Sequence, residues 1–151
     1  MVVIIMIVIG LAVFATRLIM APEPAAPQPV PEITTTYIHP VNWPPQTQIL
    51  NKPFTCSKST SPSQTSWRHI NGRVYCITTT IEGAAGSTYT EYTYTTATGD
   101  QTIVLTFTLK AVQCANYDDP EKTACETERA AFNIDPIIDQ IAQSFIADLL
   151  Y

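Results

Sequence analysis

The protein has 151 residues, with 8 basic and 13 acidic side chains and a formal net charge of −5. Such a chain lacks the basic surface with which proteins neutralise the phosphates of nucleic acids, so we expect no nucleic-acid partner. An apolar start and a proline-rich stretch take up the first 53 residues, and the remaining stretch of about 98 is enough for one small domain.

The first 21 residues are apolar and predict a transmembrane helix. Residues 2–21 in a helix would be about 30 Å long, which matches the hydrocarbon thickness of a bilayer. The alternative is a signal peptide that is cleaved after Ala15 or Ala21. By the positive-inside rule, Arg17 would keep the following chain in the cytoplasm, whereas the cysteines indicate export. We predict a single-pass anchor in the cell membrane, with the domain on the extracytoplasmic side.

Residues 22–53 hold nine of the twelve prolines. Their composition predicts an extended polyproline-type linker between the anchor and a domain that spans 54–151. Three apolar residues interrupt its polar second half, so this part of the linker could dock on the domain. They are Ile38, Val41 and Trp43.

The domain begins with strand-forming segments. Its threonine content favours strands, because β-branched residues fit a pleated surface; the whole chain has 22 threonines. Asn71-Gly72 supplies the positive φ values of a two-residue hairpin turn. Residues 82–86 are predicted to form a loop and Gly99-Asp100 a turn. The predicted strands are a short one at 54–56, then 67–70, 73–81, 87–98 and 101–112.

The stretch 101–112 shows the clearest strand pattern. Its apolar residues alternate with polar ones, which is typical of a strand with one dry face and one wet face. In the preceding strand Tyr92 and Tyr94 are the better candidates for the core, because Glu91 lies on the opposite face. The residues of the dry face in 101–112 are Ile103, Leu105, Phe107, Leu109 and Ala111.

The C-terminal stretch predicts an amphipathic helix that covers this sheet. Asp135 is placed as its N-cap and Pro136 as its first residue. Asp139, Gln140 and Gln143 are predicted to lie away from the apolar stripe. We therefore expect an α+β fold, in which an antiparallel meander of about four strands packs on one main helix, with a second short helical turn at 122–131. The stripe consists of Ile137, Ile138, Ile141, Phe145 and Leu149.

The four cysteines predict two disulfides. An even number in a small domain behind an export-type segment is typical of a disulfide framework. Three connectivities are possible, and we favour Cys56–Cys76 with Cys114–Cys125 because each pair encloses a polar, turn-rich loop. A zinc site would require closely spaced ligands such as CxxC, and the chain has none.

No constellation of residues predicts catalysis, a cofactor or a metal. His39 lies in the linker and His69 beside a turn, and neither has a catalytic partner nearby in sequence. The acidic stretch 116–121, with Glu126 and Glu128, could bind calcium but lacks EF-hand spacing, so we interpret it as a loop closed by a disulfide. The wet face of threonines and tyrosines is the remaining candidate for binding a sugar or a protein.

The C-terminal third resembles exported, membrane-anchored small proteins of reduced-genome bacteria. The resemblance rests on the run from Cys114 to Cys125 (CANYDDPEKTAC), followed by Phe132 to Asp135 and the amphipathic helix. It implies export and membrane anchoring, and it carries over no functional residue.

The predicted function is that of a membrane-tethered, extracytoplasmic domain without catalysis, which binds or scaffolds a protein or polysaccharide of a bacterial envelope. An envelope hydrolase that uses His69 is one alternative. A subunit of a surface fibre is another, and it would require an unpaired strand edge.

Overall fold

The computed structural model describes residues 29–149. The predicted anchor and the first residues of the predicted linker lie outside this range. Within it, no helix combines the length and the hydropathy that crossing a membrane requires.

Six strands form one antiparallel sheet, and two helices follow them. The α+β class is confirmed, although the sheet has more strands than the four or so predicted. A short 3-10 helix, Cys114–Asn116, separates the sheet from the helices. The strands are β1 (Ile38–Pro40), β2 (Gln46–Leu50), β3 (Gln64–Ile70), β4 (Arg73–Ala84), β5 (Ser87–Thr98) and β6 (Gln101–Val112), and the helices are α1 (Glu121–Ala131) and α2 (Asp135–Leu149).

Strands β3 to β6 form the predicted meander, each pairing with the next in sequence. The turn after β3 has positive φ at Asn71 (47°) and Gly72 (83°), as the hairpin requires. The predicted loop at 82–86 is wrong, because β4 continues to Ala84, which pairs with Ser87. Ala85 and Gly86 alone make the turn, with φ of 48° and 74°.

Strands β1 and β2 come from the predicted linker and pair with the same edge of β6. Ile38 lies opposite Ala111, and Gln46 lies opposite Thr106. Without these two segments the edge of β6 would be unpaired along its whole length. The chain therefore joins the sheet at residue 38 rather than 54, and the short strand predicted at 54–56 does not form.

The core lies between one face of the sheet, here called the inner face, and α2. The dry face of β6 is buried as predicted, and Leu105 and Ile103 are fully inaccessible. Tyr94 and Tyr92 also point to this side, which confirms their predicted orientation. The core residues are Ile38, Ile70, Tyr75, Ile77, Tyr94, Ile103, Leu105, Phe107, Leu109, Ile134, Ile138, Ile141 and Ala142.

Aromatic rings fill the middle of this core. Phe107 stacks on Tyr92, with ring centroids 5.2 Å apart and planes 10° apart. Trp43, from the segment between β1 and β2, presents its edge to Phe107 at 5.8 Å. Its indole N–H donates to the carbonyl of Pro31 at 3.0 Å. Ile38 and Trp43 therefore dock on the domain as predicted, whereas Val41 is exposed. Trp43 covers the part of the core that is formed by β6.

Candidate functional site

The face of the sheet opposite the helices carries an array of threonines. The pleat that turns the apolar residues of β4, β5 and β6 inward turns these threonines outward, where they are half-buried. Three of them form a row across the strands, since Thr78 lies opposite Thr93 and Thr93 lies opposite Thr106. We call this array the threonine face; it consists of Thr78, Thr80, Thr93, Thr95, Thr106 and Thr108.

Two shallow depressions lie at opposite ends of the threonine face. The first has a volume of about 300 Å³ and is lined by Thr80, Glu82, Tyr89, Glu91 and Thr108. The second has a volume of about 260 Å³, and Lys52 and Thr95 are among its lining residues. The first is therefore acidic, and the second has a basic side chain. Tyr89 and Thr95 are six residues apart on β5, a separation of about 20 Å in an extended strand.

The structure contains both disulfides, with the connectivity favoured from the sequence. Cys56–Cys76 fastens the loop between β2 and β3 to the outward side of β4. Cys114–Cys125 joins the 3-10 helix to α1. In each pair the Cα atoms are 5.6 Å apart, which is ordinary disulfide spacing.

A network of polar groups, built on buried tyrosines and a buried carboxylate, attaches α2 to the inner face of the sheet. The Asp139 carboxylate has no solvent exposure. It accepts hydrogen bonds from the hydroxyl of Tyr75 at 2.5 Å, the amide of Asn71 at 2.9 Å and the amide of Gln143 at 2.6 Å. The expectation that Asp139 lies away from the apolar stripe is wrong, because donors from β4 and the hairpin turn meet this carboxylate beneath the helix.

Asp135 makes the second attachment, one helical turn earlier. Its carboxylate accepts from the Tyr94 hydroxyl at 2.6 Å and from the Arg68 guanidinium at 2.8 Å. The sequence places Asp135 as the N-cap, but the carbonyl of Ile134 accepts the first helical hydrogen bonds, and Asp135 turns its carboxylate to the sheet. A buried tyrosine hydroxyl needs an acceptor, and this need determines the orientation of the first turn of α2.

The tyrosines of this network keep their protons. Burial raises the pKa of Tyr75 and of Tyr94 far above the ordinary value, and the hydrogen bonds to Asp139 and Asp135 raise them further. The hydrogen bond to Asp135 likewise raises the pKa of Arg68. Both carboxylates are occupied by donors of the chain itself, so the network holds the helix in place and presents no free base.

The two histidines lie far apart in the sheet and have exposed side chains. His39 is on β1 opposite Lys110, and His69 is on β3 opposite Val74. Within residues 29–149 neither imidazole hydrogen-bonds to a carboxylate or a hydroxyl, although a triad requires both. Among the described residues, no hydrogen-bonded partner of a triad therefore lies beside His69.

The acidic stretch has a structural role at one position that the sequence did not reveal. Glu128 of α1 accepts from the backbone N–H groups of Thr36 and Tyr37, at 2.9 and 2.6 Å. It thereby fixes the point at which the chain approaches β1. Among the described residues, no group of three or more histidine, cysteine, aspartate or glutamate side chains could hold a metal ion.

Comparison with models of known protein families, with curated proteins and with solved structures finds no match. The buried carboxylate of Asp139 serves the attachment of α2, and the buried hydroxyls of Thr96 and Thr102 donate to the carbonyls of Val74 and Lys52. On the threonine face, the hydroxyls of Thr80 and Thr78 hydrogen-bond to Ser63 and Thr65. The other four hydroxyls have no side-chain partner among the described residues, and this face is the candidate binding site.

We predict that Asp139→Ala lowers the free energy of unfolding by about 2–4 kcal/mol, because the buried hydroxyl of Tyr75 loses its acceptor and the amide of Asn71 loses its bond to the helix. Gln140→Ala, on the exposed side of the same helix, is the matched control and should change it by less than about 0.5 kcal/mol. Urea denaturation followed by circular dichroism measures both. Equal effects of the two variants would contradict the structural role of Asp139.

We also predict a loss of stability in alkali. The pKa values of Tyr75 and Tyr94 are higher in the folded chain than in the unfolded chain, where they are about 10. The contribution of these two tyrosines to the free energy of unfolding is therefore complete below pH 10, and it declines as the pH rises above 10. Denaturation at increasing pH should show this decline, and near-ultraviolet tyrosinate absorbance should show two tyrosines that ionise only on unfolding. If every tyrosine ionised in the folded protein near pH 10, the prediction would fail.

Proposed function

We propose that the protein is a membrane-tethered, extracytoplasmic domain without catalysis, which binds an envelope component through the threonine face. One observation carries the proposal, namely that the core uses only the inner face of the sheet. The central strands β4, β5 and β6 have paired backbones, and their outward side presents hydroxyl groups in register. Such a surface can offer many hydrogen bonds without rearrangement of the sheet.

The two disulfides support an extracytoplasmic location. Disulfides persist in oxidising compartments and are rare where glutathione and thioredoxin keep thiols reduced. One bond attaches the loop that contains Cys56 to β4, and the other attaches the short 3-10 helix at Cys114 to α1. The membrane tether is inferred from the apolar sequence of residues 2–21 and from its length.

The chemistry of the face favours a polysaccharide over a protein. Hydroxyls and carboxylates can exchange hydrogen bonds with sugar hydroxyls, and the ring of Tyr89 offers an apolar surface beside Glu82 and Glu91. The core of a protein–protein interface is instead enriched in large aromatic residues and depleted of glutamate. The two depressions at either end of β5 would suit a linear polymer that lies along this strand.

We predict that the domain is exposed outside the cell membrane. A protease added to intact spheroplasts should degrade the domain and spare a cytoplasmic marker protein. A thiol reagent applied to the denatured, unreduced protein should label no cysteine, because Cys56–Cys76 and Cys114–Cys125 occupy all four. A protected domain with four reactive thiols would refute export.

We predict that Thr93→Lys weakens binding to isolated envelope polysaccharide at least about tenfold, a loss of about 1.4 kcal/mol, because a long charged side chain would cover the central row of hydroxyls. Ile81→Lys adds the same charge at an exposed site on the opposite face of the sheet, and it should bind normally. Co-sedimentation with the insoluble polymer measures both variants. Equal binding by both would exclude the threonine face as the site.

A further inference from the structure

The two edges of the sheet differ in how they are protected. One edge is formed by β1 and β2, which have three and five residues and are separated by a segment that contains Pro44 and Pro45. Short strands and prolines are devices that keep an edge from pairing with another chain. The other edge is β3, which has seven uninterrupted residues and contains neither proline nor lysine.

The free side of β3 has no backbone partner in the part of the chain that the structure describes. β3 pairs with β4 from Gln64 to Ile70, and no other backbone–backbone hydrogen bond within 29–149 involves it. The nearby loop reaches β3 through a side chain, as the N–H of Ser59 donates to the hydroxyl of Thr65 at 3.0 Å. A row of N–H and C=O groups is therefore available to an added strand.

An exposed tryptophan lies at the middle of this edge. Trp67 is the fourth of the seven residues of β3, and it is 58% exposed. Its ring meets the edge of Phe54 with centroids 6.0 Å apart, which leaves much of the indole in water. A large aromatic residue in the middle of an unpaired strand is a typical anchor for a partner.

We propose that β3 pairs antiparallel with β3 of a second copy of the chain, about a two-fold axis at Trp67. The strand is self-complementary in this register, since Trp67 lies opposite Trp67 of the partner subunit and cross-strand aromatic pairs are favourable. Ser66 then lies opposite Arg68, and Thr65 opposite His69. No two like charges are paired, and Arg68 is already neutralised by Asp135 of its own chain.

The pairing would join two sheets into one. The axis is perpendicular to the sheet, so both threonine faces lie on the same side and the helices of both copies lie on the other. Two binding faces in one rigid unit would bind a repetitive polymer with avidity. The dimer does not depend on the proposed function, because strand pairing and the Trp67 contact require no ligand.

Sedimentation equilibrium of the full chain in density-matched detergent tests the dimer. The unaltered protein should dimerise with increasing concentration, and Trp67→Lys should raise the dissociation constant at least tenfold by placing two cations opposite each other. Ile81→Lys is the matched control, because Ile81 is equally exposed but lies on β4. Circular dichroism establishes that both variants are folded. A monomer at all concentrations, or a dimer that Trp67→Lys leaves intact, would overturn the proposal.

Disulfide trapping tests the register. Under mild oxidation a mixture of the Ser66→Cys and Arg68→Cys variants should yield a covalent dimer on non-reducing gels, because position 66 faces position 68 of the second copy. Both positions lie on the face of β3 away from the Cys56–Cys76 disulfide. Ile81→Cys, on β4, should stay monomeric. Failure of the mixture to cross-link, or capture of an unrelated protein in place of a second copy, would overturn the two-fold pairing and leave polysaccharide binding by the threonine face unaffected.

Discussion

The packing of β6 against α2 is the contact on which the rest of the structure depends. β6 is the only described strand that pairs with three others, namely β1, β2 and β5. Its inward residues, Leu105 and Phe107 among them, are buried because α2 and Trp43 cover them. Each large apolar side chain that is fully buried in this way contributes about 1.5–3 kcal/mol. Because the pleat has a period of two, burial of these residues also fixes which threonines face outward.

The carboxylates of Asp135 and Asp139 add orientation to this packing. Apolar contacts alone would allow α2 to rotate or slide, since they have little directionality. Asp135 and Asp139 lie one helical turn apart and receive the hydroxyls of Tyr94 and Tyr75 from neighbouring strands. These two fixed points permit one rotation and one position along the sheet. Hydrogen bonds therefore fix the rotation and position of α2 in its N-terminal half, and apolar contacts hold the rest of the helix on the sheet.

Features that depend on residues close together in the sequence could be predicted from it. The alternation in 101–112, the Asn71-Gly72 turn and the apolar stripe of α2 are all local patterns, and each corresponds to an observed element. Strands β1 and β2 were missed because a proline-rich composition indicates a linker, and only the unpaired edge of β6, distant in sequence, makes them strands. The burial of Asp139 was missed for the same reason, since its donors Tyr75 and Asn71 lie more than sixty residues away. The sequence alone showed that these threonines share a wet face. The row formed by Thr78, Thr93 and Thr106, however, depends on how β4, β5 and β6 are aligned with one another.

The attachment of residues 36 and 37 to Glu128 would have a mechanical consequence if the domain is tethered as proposed. A force transmitted from the N-terminal side first loads the contacts of Pro31 with Trp43 and of Ile33 with the core. It then reaches the two backbone hydrogen bonds to Glu128, and after them the three-residue pairing of β1 with β6. If the pull detached β1 and β2 in turn, the peeling would stop at Cys56, whose covalent bond passes the load to β4 in the middle of the sheet. Under tension the chain could thus lengthen by releasing β1 and β2 while the surface formed by β4, β5 and β6 stayed folded. Residues 29–55 would then absorb the extension before the binding surface was strained.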